Sequence, residues 1–74
     1  MARIEITSEV TGKVWKVLLE PGAAVTPDEP IMVVESMKME FNLVAPVDAT
    51  VHQLLCREGM AVAAGQDVLL LVTE

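Results

Sequence analysis

Cationic residues are scarce in this sequence: five lysines and arginines stand against eleven aspartates and glutamates, for a formal net charge of −6. Nucleic acids and anionic membrane surfaces attract clustered Lys and Arg, so neither is expected as a partner. Cysteine is limited to Cys56, which excludes an internal disulfide and suits a reducing cytoplasm. Within Leu54-Leu55-Cys56 that thiol reads as a packed group, not a nucleophile. The one histidine, His52, falls in a strand-like run, and Glu35 with Glu40 is a carboxylate pair without a third ligand, so no metal site is expected. The chain also lacks a phosphate-cradling glycine loop and a Ser, His and Asp set with recognisable spacing. The domain is therefore not expected to be an enzyme by itself. No apolar run approaches the roughly 20 residues of a membrane-spanning helix. The alternating start, Met1-Ala2-Arg3-Ile4-Glu5, has no signal-peptide core, so a soluble, unexported chain is expected.

Aromatic residues are nearly absent too, with one Trp, one Phe and no Tyr, although 53% of the 74 residues are hydrophobic. The core must then be aliphatic and largely β-branched, which favours strands. A chain of this length is a single domain, 1–74, and buries only about 60% of its extended-chain surface.

What is present is an internal repeat at an offset of 37 residues, the spacing of Gly22 and Gly59. Val10-Thr11-Gly12-Lys13-Val14 matches Val47-Asp48-Ala49-Thr50-Val51. Gly22-Ala23-Ala24-Val25 matches Gly59-Met60-Ala61-Val62, and Ile31-Met32-Val33-Val34 matches Val68-Leu69-Leu70-Leu71. Ile4 and Ile6 correspond to Phe41 and Leu43. In the first copy, Arg3 to Thr7 alternates as a strand and Lys13 to Leu19 reads as a longer one. Glu20-Pro21-Gly22 is a turn, Val25 lies in a short strand, and the prolines of Thr26-Pro27-Asp28-Glu29-Pro30 interrupt the chain. Two such units, neither able to bury its apolar face alone, should pack about a pseudo-twofold axis. Eight short strands predict an all-β flattened barrel or sandwich.

The two copies meet at Glu35-Ser36-Met37-Lys38-Met39-Glu40. The strand-like runs Ile31–Val34 and Phe41–Val44 flank a connection of hairpin length, which puts Lys38 at or beside the tip of a tight turn. Turn tips ordinarily carry Asn, Gly or Asp. Two methionines around one lysine instead point to binding, with Glu35 and Glu40 as a solvated rim. The offset itself exchanges the chain ends with this hairpin, so the termini are expected at the end opposite Lys38.

The Glu-Ser-Met-Lys-Met-Glu run resembles the biotin attachment site of biotin carboxyl carrier domains, and the repeat across the whole chain is similar to the biotinyl/lipoyl attachment domain family. Thr26-Pro27-Asp28-Glu29 departs from the Gly-Asp turn usual there. Ala49 stands where Gly is usual, and Ser8-Glu9-Val10 where a Pro-Met step often precedes the glycine. The first repeat has no insertion beyond the second, which corresponds to the non-thumbed form. The resemblance implies biotin in amide linkage on Lys38, with Met37 and Met39 as flanking recognition groups. It implies a biotin protein ligase as the modifying partner, since an alkylammonium in water is a poor nucleophile at neutral pH.

It also implies that the biotin would carry a carboxyl group from a biotin carboxylase to a carboxyltransferase, as in acetyl-CoA carboxylase. The extended arm would reach roughly 14 Å from the backbone, from bond lengths alone. The same fold serves as lipoyl carrier in 2-oxo-acid dehydrogenase complexes, where Asp typically precedes the lysine and Met37 stands here. The initial Met favours a freestanding subunit, expected as a monomer.

Overall fold

Alternating and β-branched segments form eight antiparallel strands in the computed structural model, which describes residues 2–73. They are β1 (Ala2–Thr7), β2 (Gly12–Val17), β3 (Ala24–Val25), β4 (Pro30–Ser36), β5 (Met39–Val44), β6 (Ala49–Leu54), β7 (Ala61–Val62) and β8 (Asp67–Thr73). Every strand of the first half recurs in the second at the offset read from the sequence.

The copies are not stacked side by side. One sheet has the order β1-β8-β6-β3 and the other β5-β4-β2-β7, so each sheet takes two strands from each copy. The pseudo-twofold that carries β1 onto β5 exchanges the two sheets.

The core obeys the same symmetry. Val14 and Val51, Val25 and Val62, Ile31 and Val68, Met32 and Leu69, and Val34 and Leu71 are equivalent pairs, all buried. Each such side chain contributes roughly 1.5–3 kcal/mol on burial, and these contacts hold a chain that has no disulfide. The turns repeat as well. The Gly22 amide donates to the Val51 carbonyl and the Gly59 amide to the Val14 carbonyl, each at 2.8 Å.

β2 ends at Val17, two residues short of the strand expected from Lys13 to Leu19. The strand also carries a bulge: register against β4 shifts between Val14 and Lys16, which leaves Trp15 as an extra residue. The Val17 amide then donates to the Glu58 carboxylate at 2.9 Å, and the Leu18 amide to Ile31 at 2.9 Å, as the chain leaves the ladder. The equivalent bulge on β6 falls at His52, which is exposed on its strand. Cys56 is a buried core residue, and burial pushes its thiol up from the ordinary value.

β1 runs from Ala2, opposite Thr73, to Thr7, opposite Asp67. Just beyond it the Thr11 carbonyl accepts a hydrogen bond from Ser36 at the Lys38 hairpin. The Ala2 and Thr73 ends therefore lie at the far end of β1 from the hairpin. Met1 and Glu74, the termini named in the sequence-based expectation, lie outside the described residues, and the ends next to them are opposite Lys38.

Candidate functional site: the Lys38 hairpin

β4 and β5 run further towards each other than the sequence suggested. The ladder continues through Glu35 opposite Glu40 and Ser36 opposite Met39, so the connection is the two residues Met37 and Lys38. Both have positive φ, 52° and 66°, the signature of a type I′ turn, whose twist matches that of its flanking strands. Asn and Gly usually take these positions, because a side chain in the left-handed region crowds the backbone. The tip accepts that strain and displays side chains in return.

Those side chains reach into solvent. Met37 is 92% exposed and Met39 60% exposed, so neither is a core methionine, in contrast to Met32, which is fully buried further back on β4. Lys38, Glu35 and Glu40 are also exposed. Lys13 stands opposite Glu35 on the far side of β4, so a row of charges crosses three strands beneath the tip. The exposed primary amine of Lys38 fits amide attachment of a carboxylic acid cofactor, since both the nucleophile and its approach are open.

The structure brings Lys38, Met37 and Met39 together as the sequence predicted, gives Ser36 of the same run a partner, and adds Thr11 and Gly12, which sequence reasoning did not assign to the site. The Ser36 hydroxyl donates to the Thr11 carbonyl at 2.8 Å. Gly12, next in the chain, passes under the hairpin stem so closely that a Cβ there would overlap the Glu35 carbonyl oxygen and lie 3.1 Å from the Ser36 Cβ. A signal existed: glycine inside a strand marks close approach of another backbone, and the equivalent position in the second copy is Ala49.

A second cluster sits on the edge of the other sheet. There the Glu5 carboxyl, when protonated, donates to the Asp67 carboxylate, and that hydrogen bond, with the repulsion between the two carboxylates, holds Glu5 above its ordinary value of 4.5. Nearby, a cleft between β1 and β5 is lined by Ile4, Ile6, Phe41 and Leu43.

Comparison with known proteins bears on the cofactor. The family model described as "Biotin-requiring enzyme" matches residues 2–71. The biotin carboxyl carrier protein of Streptococcus mutans is 36% identical over 58 residues, covering 78% of this chain and 45% of its own length. A biotin/lipoyl attachment protein of Bacillus subtilis is 34% identical over 65 residues, 88% of each chain. Among solved structures, urea carboxylase from Kluyveromyces lactis superposes with a TM-score of 0.90 at 29% identity, over 97% of this chain and 6% of the carboxylase. The chain thus spans less than half of the Streptococcus carrier and a small part of the carboxylase. With the match running along nearly all of both repeats, the chain belongs to the biotin-requiring enzyme family, as a biotinyl attachment domain of carboxyl carrier type whose cofactor is covalently attached biotin.

Proposed function

We propose that Lys38 is the biotinylation site and that the domain is the non-catalytic carboxyl carrier of a biotin-dependent carboxylase such as acetyl-CoA carboxylase. The observation that carries this reading is the placement of Lys38 at a two-residue tip with both turn residues in the left-handed region and exposed methionines on either side. When bound, biotin supplies a group that accepts a carboxyl at one active site and releases it at another.

The chain's own residues do the rest. The Lys38 amine provides the attachment point, free of neighbouring core. Met37 and Met39 offer soft, adaptable apolar contacts to a biotin protein ligase and later to a biotin carboxylase and a carboxyltransferase. The tether confines the cofactor near its partners, which raises effective concentration towards the millimolar range when the span allows. The ends of β1 and β8 lie away from the tip, so whatever holds them leaves Lys38 unobstructed. We place the carrier in the cytoplasm, as an isolated monomer, on the strength of its single buried thiol and its acidic surface.

The name of the Bacillus relative couples biotin with lipoyl, which keeps a lipoyl carrier as the second reading. Intact mass after co-expression with a biotin ligase, and separately with a lipoyl ligase, separates the two. The expected result is one biotinyl addition, absent in Lys38→Arg with the fold unchanged. Addition of lipoyl alone transfers the assignment to the second reading, and biotinyl addition surviving in Lys38→Arg moves the site.

A further inference from the structure

Because the two halves share one fold, each position has an internal comparison 37 residues away, against which departures from symmetry can be read. One departure lies directly under the attachment hairpin. Gly12 corresponds to Ala49, Thr11 to Asp48, Glu35 to Val72 and Ser36 to Thr73. The strands concerned, β2 and β6, have the same bounds relative to their copies. The fold therefore tolerates a Cβ at this place in one copy and excludes it in the other.

At the excluded place, the backbone of Gly12 lies against the Glu35 carbonyl, and an added Cβ would overlap a backbone atom that cannot rotate away. One residue earlier, the Thr11 carbonyl takes the Ser36 hydroxyl at 2.8 Å. Ser36 is the last paired residue before the turn. Close backbone approach and a side-chain bond thus act on the two residues that feed directly into Met37 and Lys38.

We propose that Thr11 and Gly12 form a seat for the hairpin stem, and that Gly12 and Ser36 are positioning residues which hold the strained Met37-Lys38 tip in the orientation its modifying enzyme reads. This rests on the reading of Lys38 as the attachment site. The physical reason is that a type I′ tip without Asn or Gly has little local preference for its own geometry, so orientation must be imposed from the stem. Both act through the stem, by the contacts of Ser36 with Thr11 and of Gly12 with Glu35.

The test compares Gly12→Ala, Ser36→Ala and Ser36→Thr with the symmetry control Ala49→Gly, all in the full chain. Amide hydrogen exchange of residues 36–40 is measured in the unmodified protein, and kcat and KM for biotinylation are measured with a biotin protein ligase, ATP and biotin. Expected are at least tenfold faster exchange at the tip in Gly12→Ala and about threefold in Ser36→Ala. Ser36→Thr should restore wild-type exchange, and Ala49→Gly should leave the tip unchanged. The KM for the domain should rise in step, with kcat nearly constant. Should Gly12→Ala fail to fold, the Ser36 pair decides the matter alone. Unchanged tip exchange in Ser36→Ala, or a loss that Ser36→Thr does not restore, overturns the proposal. A wild-type chain that the ligase leaves unmodified counts against Lys38 as the biotin site, while the exchange measurements still decide the seat.

Discussion

The chain turns through left-handed backbone in two chemically different ways. At Gly22, Gly59 and Gly65, with φ of 96°, 90° and 86°, the residue is glycine, and the space around each would admit a Cβ. There glycine answers a demand of backbone conformation alone. At the tip between β4 and β5 the same half of conformational space is occupied by Met37 and Lys38. Turns that only connect strands use the residue that costs least, whereas the turn that presents an amine keeps its side chains and carries the strain.

Giving the connecting turns a side chain breaks the comparison most severely. Gly22→Val or Gly59→Val should each destabilise the domain by about 1–3 kcal/mol, because a β-branched residue is forced to positive φ. Urea midpoints equal to wild type would show that these turns relax freely. The reverse exchange should give a smaller effect of opposite sign. Met37→Asn puts a residue suited to a type I′ turn at its first position and should recover part of the roughly 1–2 kcal/mol that a left-handed residue costs. Its melting temperature should rise while ligation slows.

Met37→Ala and Met39→Ala sharpen the distinction further. Both side chains are in solvent, so stability should stay within about 0.5 kcal/mol of wild type, and only the modification rate should fall. A loss of several kcal/mol would make them structural.

The smallest effect belongs to a strand position without turn strain, Glu5. Its carboxyl is held above 4.5 in the folded chain by Asp67, so between the ordinary and the raised value the folded state binds more protons than the unfolded state. Stability therefore falls as pH rises through that window. Glu5→Gln should melt slightly above wild type at pH 7 and approach it only well below 4.5, where both states of wild type are protonated. The turn substitutions should show no such pH dependence.

Much of this was legible beforehand because the sequence repeats itself. Two weak strand signals in register, such as Ile31–Val34 and Val68–Leu71, support each other, and all eight strands occur at the expected offset. The tip was legible from its composition, since methionines flanking lysine make little sense in a plain connection. The interleaving of the copies was not. Strand patterns report which face is buried, and Ile4 reads the same whether its partner is in its own half or, as observed, is Leu71. Bulges at Trp15 and His52 depend on cross-strand register and leave no local mark. The proximity of Glu5 to Asp67 and of Gly12 to Glu35 arises only on assembly, although Gly12 opposite Ala49 in the repeat was a clue in plain view.

Interleaving also governs when this domain can come into being. The sheet β1-β8-β6-β3 joins the domain's first strand to its eighth, Ala2 to Thr73, so during translation it stays open until β8 has left the ribosome. Sheets dominated by such distant pairings fold in about milliseconds to seconds, not microseconds. The β4-β5 hairpin is the local exception, able to form while the rest of the chain is still emerging. A nascent Met37-Lys38 tip can therefore exist before there is a barrel beneath it, and a modifying enzyme that requires the seated hairpin would wait for the finished fold.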